Sequence, residues 1–383
     1  VRLGLLRVIS TVDSGRHFLQ TIEDIQGEHR PSSTYFKSLK SARRSRMLEA
    51  FEQQSYRLHG ATLAVQGIDY LKSFPELDED TVVAADGHFM DHACHTKAGA
   101  NGNVYAVGFI YAMNLRNGLL SPLCLVTNGT TRHQEIPALR RQLEQQNSHK
   151  GEPQKCLYVY DKAATDYPWW DLQIQQGNYM ISVLKKNSVA TFVESIPFDA
   201  QDEINTGVEG YHLYENDGVR FTRVDYRDPE TNTLHRFVTT LPVSMSPGII
   251  ALLYYKRWTI EKAFNNSKSD LKETKAWSSN QNALKNQMRL TAMSYNLMRV
   301  FEELSKKHPP ELIHPSDKKY RKTLKKRQQA AQQRGGFVSP LLFQERIVRI
   351  SSYTLRAVQN AIITGKSLAS FLNTLVARLV PRV

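Results

Sequence analysis

A chain of 383 residues is long enough for two or three domains and a sizeable core, and 41% hydrophobic with 23% charged residues excludes wholesale disorder and a fibrous repeat. Fifty Lys+Arg against 37 Asp+Glu leave a formal net charge of +13, which favours a polyanionic partner, either nucleic acid or an acidic membrane surface. The most apolar stretch, residues 104–114, falls far short of the ~20 residues that span a bilayer, which argues against a transmembrane protein.

Residues 1–78 read as mostly helical and polar. The opening VRLGLLRVIS has no long apolar core followed by a small-residue cleavage site, so no secretory signal is expected. A Pro-Ser-Ser-Thr break at 31–34 is placed to cap a basic helix starting near Tyr35. Residues 27–47 hold six Lys/Arg and one acid, and residues 305–334 hold ten Lys/Arg and two acids. These two segments match the whole net charge, leaving a balanced body between them. Each run is either a solvated helix face or a grip on phosphates, and their few aromatics favour phosphate contact over base stacking.

Residues 79–190 change character. TVVAAD (81–86), VYAVGFIYAM (104–113), LSPLCLVT (120–127), KCLYVYD (155–161) and YMISVLKK (179–186) are β-branched or aromatic runs of strand length. Helical stretches at 133–147 and 168–177 interrupt them, predicting a mixed α/β sheet. Residues 191–245 carry four strand-like runs between Asn-Asp-Gly and Asp-Pro-Glu-Thr-Asn turns, a β-meander. Helical periodicity returns from 247 to about 307, and again over 336–383. Three cysteines, Cys94, Cys124 and Cys156, are odd in number and far apart, which argues against a disulfide framework and for a reducing cytoplasm.

The most informative segment is LLYYKRWTIEKAFNNSKSDL. On a helix, Tyr254, Arg257, Glu261 and Lys268 fall within about 60° of arc, giving one face a phenol, a guanidinium, a carboxylate and an ammonium. For a protein acting on a phosphodiester, the carboxylate would ligate a divalent metal while Arg, Lys and the Tyr hydroxyl hold phosphate oxygens. A salt-bridged surface helix is the plain alternative. Asp86 ends the apolar run VVAA, and Asp161 ends LYVY. An acid at the end of a buried strand is costly unless it binds something, although each is singly explicable as a turn residue. Jointly, two strand-end Asp and a helical Glu are the carboxylates that hold a pair of metal ions about 3.5–4 Å apart in enzymes that cut nucleic acid. Mg²⁺ is the natural ion, with Mn²⁺ as its substitute.

The spacing Tyr254-x2-Arg257-x3-Glu261-x6-Lys268 resembles, without a gap, the Tyr-Arg-Glu-Lys signature of the IS-four family of insertion-sequence DDE transposases. Arg257-Trp258 with Ile260-Glu261 looks like that family's Arg-Trp-x-Ile-Glu core. Asp86-Gly87 resembles its first acidic motif, and Asp161 with Lys162-Ala163 stands where the second is followed by a small turn. The resemblance covers roughly residues 79–300. It implies an α/β fold, an RNase H-like catalytic core with a β-rich insertion, plus helical N- and C-terminal regions.

By domain, it implies a basic helical N-terminal region at 1–78, expected to bind DNA, and a first part of the core at 79–190. The insertion would occupy 191–245, the catalytic helix and end of the core 246–304, and a basic helical C-terminal region 305–383. The implied triad is Asp86, Asp161 and Glu261, holding two Mg²⁺ ions, with Tyr254, Arg257 and Lys268 on DNA phosphate. The implied activity is metal-dependent phosphodiester hydrolysis followed by strand transfer. Its implied partners are double-stranded DNA, as terminal inverted repeats and target, and a second copy in a homodimer, without a membrane. The implied location is the bacterial cytoplasm, associated with the nucleoid. Some members resolve a DNA hairpin by flipping a base onto a tryptophan in the insertion; no Trp lies between 171 and 257 here, so either stacking falls to Tyr or Phe, such as Phe237, or hairpin chemistry is not used.

Other readings compete. His88, His92, Cys94 and His95 beside Asp91 suggest zinc, but the HxxxH lacks the Glu of a zinc protease and has no second ligand cluster nearby. Asp166 before Tyr-Pro suits a turn without a ligand role, and Trp169 and Trp170 suit a core. A catalytically inactive, transposase-derived DNA-binding regulator is the alternative function. A glycosidase with a carboxylate pair would need neither the basic segments nor the Tyr-Arg-Lys face.

Overall fold

Strand runs as apolar as those between 81 and 183 need cover on both faces, and the chain provides it by packing helices against each face of one sheet. The computed structural model describes residues 1–10, 14–27, 29–78, 80–90, 107–127, 155–161, 166–184, 188–229, 231–269 and 275–306, with 326 and 329. The expected helix at 133–147, the His92, Cys94 and His95 cluster, nearly all of the basic run at 305–334, and 336–383 lie outside these residues.

Strands β1 (Thr81–Met90), β2 (Val107–Asn114) and β3 (Leu120–Val126) form an antiparallel meander. β4 (Cys156–Val159) lies parallel to β1 on its other side, and β5 (Tyr179–Val183) lies parallel to β4. The order β3-β2-β1-β4-β5 is the RNase H-like arrangement that the resemblance implies. Four further strands, β6 (Thr191–Ser195), β7 (Val208–Asn216), β8 (Val219–Arg227) and β9 (Leu234–Thr239), make the expected β-rich insertion. It is built onto the core: β9 pairs antiparallel with β5, so one nine-stranded sheet runs β3-β2-β1-β4-β5-β9-β8-β7-β6. β5 would otherwise present a buried row of unpaired backbone groups. The Thr240 hydroxyl accepts from Met180 N (2.9 Å) and the Thr239 hydroxyl donates to Met180 O (2.6 Å), fastening the junction.

Helices α1 (Arg2–Ile9), α2 (Gly15–Gln26), α3 (Ser32–Lys40) and α4 (Ala42–Val65) precede the sheet; α5 (Tyr167–Gln175) joins β4 to β5. α6 (Pro247–Ser269) and α7 (Gln281–Lys306) follow it. One sheet face, including Val82, Ala84, Tyr111 and Val159, packs with Ile250, Leu253 and Tyr254 of α6 and with Met288 and Leu290 of α7. On the opposite face Tyr158, Tyr160, Met180 and Phe221 surround Trp169 and Trp170 of α5. Those tryptophans are therefore core. Asp166 caps α5, its carboxylate accepting from Trp169 N at 3.1 Å.

Two helical expectations change in detail. The basic run at 27–47 holds two helices. α3 starts at Ser32 directly behind Pro31, whose fixed φ suits a helix start. α4 begins after Ser41, whose hydroxyl accepts from Arg44 N at 3.4 Å. The stretch from 247 to about 307 is also two helices, with Asn280 starting the second: its side chain accepts from Asn282 N (3.1 Å) and Ala283 N (3.2 Å).

Candidate active site

The parallel register of β1 and β4 brings the two aspartates together. Ala84 pairs with Val159, and Asp86 and Asp161 each lie two residues further on, at the same end and on the same face of neighbouring strands, which are about 4.8 Å apart. Asp86 is still within the sheet, paired with Tyr111 of β2. Asp161 has just left it and is exposed. Tyr160 N donates to Ile181 O (2.9 Å) and the Ser182 hydroxyl donates to Asp161 O (3.0 Å), so the exit of β4 is tied to β5. Ser182 gave no signal in the sequence, because its partner is a main-chain atom on another strand.

α6 supplies the rest. Tyr254, Arg257 and Glu261 share the face turned to the strand ends, and Arg257 links the elements. Its Nη1 donates to Asp86 Oδ2 at 3.5 Å, and its Nη2 to Glu261 Oε1 at 2.8 Å. The Arg257 side chain is only 4% exposed, while that of Glu261 is 47% exposed. Tyr254 is buried, its ring 5.2 Å from the guanidinium carbon and 4.8 Å from the Phe237 ring. Lys268 lies in the last turn of α6; its side chain is outside the described residues. Phe237 is 0% exposed, which corrects its assignment as a stacking surface for a flipped base: it is the floor beneath Tyr254.

Burial pushes the Asp86 carboxyl above the usual carboxylate range, opposed by Arg257 and by the Gly87 N–H (2.8 Å) and reinforced by the charges of Glu261 and Asp161. Burial likewise raises Tyr254. Arg257 loses solvation on burial, but Tyr254, Asp86, Glu261 and Asp161 around it more than compensate and raise its pKa. Asp86, Asp161, Glu261, Tyr254 and Arg257 thus feel one another as a single electrostatic centre.

The donor set suits a hard divalent cation, because three carboxylates offer only oxygen. Among the described residues, however, no three His, Cys, Asp or Glu side chains stand in a metal-holding arrangement. Asp86 and Glu261 are instead drawn onto the two terminal nitrogens of Arg257. His88, two residues beyond Asp86, is buried edge-on against Phe264 of α6, the packing of a core histidine.

The insertion also holds the start of α6. Asn205, in a short turn between β6 and β7, accepts through Oδ1 from the Ser246 hydroxyl (2.7 Å) and from Gly248 N (2.9 Å), while its Nδ2 donates to Asp199 O (2.8 Å). A lone Asn 43 residues from its partner leaves no pattern in a sequence. Replacing it with Ala strands buried donors, and Asn205→Ala should lower unfolding free energy by about 2–3 kcal/mol in a denaturant titration.

Fold and site together define an RNase H-like protein with an acidic centre buttressed by arginine. More particularly, the chain belongs to the transposase DDE domain family, whose model matches residues 77–297, more than half of its length. A comparison with curated proteins finds no match. Membership in a transposase family implies DNA as a partner. Among the described residues, no helix is long and apolar enough to cross a membrane.

Proposed function

We propose that the chain is an IS-four-type DDE transposase that cuts DNA at the ends of an insertion sequence by hydrolysis and then joins the freed 3′-hydroxyl to a target. Asp86, Asp161 and Glu261 are the catalytic carboxylates, and Arg257 with Tyr254 and Lys268 engages the phosphate. The observation that supports this reading is the pairing of Asp86 and Glu261 with one buried guanidinium, that of Arg257, with the charge of Asp161 on the neighbouring strand end close enough to act on it. Two divalent ions held by the three carboxylates, Mg²⁺ or Mn²⁺, would supply charge stabilisation at the attacking and leaving oxygens. Arg257 orients the scissile phosphate through its planar fork of donors. Tyr254, packed on Phe237, fixes the guanidinium from behind. The proposed DNA complex contains a homodimer.

The test is cleavage of linear DNA carrying both flanks of the gene. Nicks at inverted repeats in Mg²⁺, absent with chelator, are expected; repeat-specific cleavage in chelator contradicts the reading.

The basic segments, in the N-terminal region 1–78 and the C-terminal region 305–383, are proposed to grip DNA outside the centre. Neutralising Lys318, Lys319, Arg321 and Lys322 should weaken binding to every DNA sequence and flatten its log–log salt dependence by about 0.9 for each lost phosphate contact. A salt titration with an unchanged slope would make this segment a spacer.

A further inference from the structure

Arg257 stands where a divalent ion would have to act. Its two terminal nitrogens take Asp86 and Glu261, its side chain is almost wholly buried, and its Nε is buried without a hydrogen-bond acceptor among the described residues. An ionised carboxylate only accepts, and it has a limited set of lone pairs. A guanidinium and a metal ion therefore compete for the same oxygens.

Resting on the reading of Asp86, Asp161 and Glu261 as metal carboxylates, we propose that Arg257 is an internal counter-ion that occupies two of the three in the DNA-free protein, and that a DNA phosphate releases them by drawing the guanidinium away. Asp86, buried at a strand end and facing the like charges of Asp161 and Glu261, is unstable as an anion without a cation beside it. A small hard ion dehydrates reluctantly and is readily lost, whereas an arginine on the same helix as Glu261 is always present. A phosphodiester offers the guanidinium a bidentate anionic partner. The Nε–H, buried without an acceptor among the described residues, is a further donor that such a ligand could satisfy once the guanidinium turns.

Once the guanidinium turns to phosphate, Asp86 and Glu261 are free to join Asp161. Metal and DNA binding are then positively coupled, and each must raise the affinity of the other by the same factor. The consequence is a hydrolytic centre that assembles on DNA and stays closed in free protein.

The test is binding of Mn²⁺ alone, followed by electron paramagnetic resonance, to the full chain and to Arg257→Gln, Arg257→Lys, Glu261→Gln and the Arg257→Gln/Glu261→Gln double variant. Removing the competing cation should tighten Mn²⁺ binding by about 5–150-fold, the usual range for coupled sites. Arg257→Lys should fall between, because its compact ammonium cannot span both carboxylates. Mn²⁺ should also raise the melting temperature of Arg257→Gln more than that of the wild type. Adding Glu261→Gln should cancel the gain.

Equal or weaker binding by Arg257→Gln, with Glu261→Gln still lowering affinity, overturns the counter-ion role and leaves the metal site standing. No Mn²⁺ binding by any form overturns both. Should Arg257→Gln fail to fold, the Lys variant decides: tighter binding than wild type supports the proposal, and equal or weaker binding overturns it.

Discussion

Glu261→Gln should abolish strand cleavage while DNA binding is retained. The amide keeps the shape of the side chain but loses the charge proposed to attract a divalent ion. Metal ions contribute several kcal/mol at a reacting phosphate, and about 1.4 kcal/mol is tenfold in rate, so cleavage should fall by on the order of 10³-fold or more. Binding should survive, because the substitution spares both basic segments and frees Arg257 from its i,i+4 partner at 2.8 Å. Gel-shift and nicking assays on the same DNA separate the two effects. Near wild-type cleavage would remove Glu261 from the chemistry.

Gly248→Ala should be the most damaging small substitution far from the carboxylates. Gly248 opens α6 directly behind Pro247, and a β-carbon there would run into the Ile204 carbonyl and lie 2.9 Å from Asn205 N. Both obstacles are backbone, so neither can swing aside. The same turn supplies Asn205, which accepts from Gly248 N, so relief of the clash would also break the tie between insertion and helix. Overpacking of this kind costs about 1–3 kcal/mol, and the lost buried hydrogen bonds add about as much again. The expected result is a lower denaturation midpoint, larger than the change for Asn205→Ala, together with loss of cleavage, since α6 carries Tyr254, Arg257 and Glu261. An unchanged midpoint would show that the insertion does not anchor this helix.

Where the sequence was legible, local chemistry and tertiary structure agree. The β-branched and aromatic runs around Val82, Ile110, Leu157 and Ile181 became strands because both sheet faces are covered, so continuous apolar runs are what burial demands. The spacing of Tyr254, Arg257 and Glu261 was readable because a helix turns it directly into one face.

What stayed hidden depends on partners distant in the chain. Nothing local says that β9 pairs with β5, making the insertion an extension of the core sheet, or that Asn205 secures Gly248. Phe237 looks like any aromatic of a meander; its burial comes from α6 lying across the sheet with Tyr254 against its ring. Arg257 was legible as a member of the helical face with Tyr254 and Glu261, but its hold on Asp86 bridges 171 positions and is visible only in three dimensions.

The most direct test of a metal centre at Asp86, Asp161 and Glu261 is anomalous diffraction from crystals of the protein bound to an element-end DNA and grown in Mn²⁺. Two peaks about 3.5–4 Å apart are predicted between the three carboxylates, with Arg257 turned onto a DNA phosphate. Peaks bound by other residues, or DNA seated with Asp86 and Glu261 still on Arg257 and no ion between them, would contradict it.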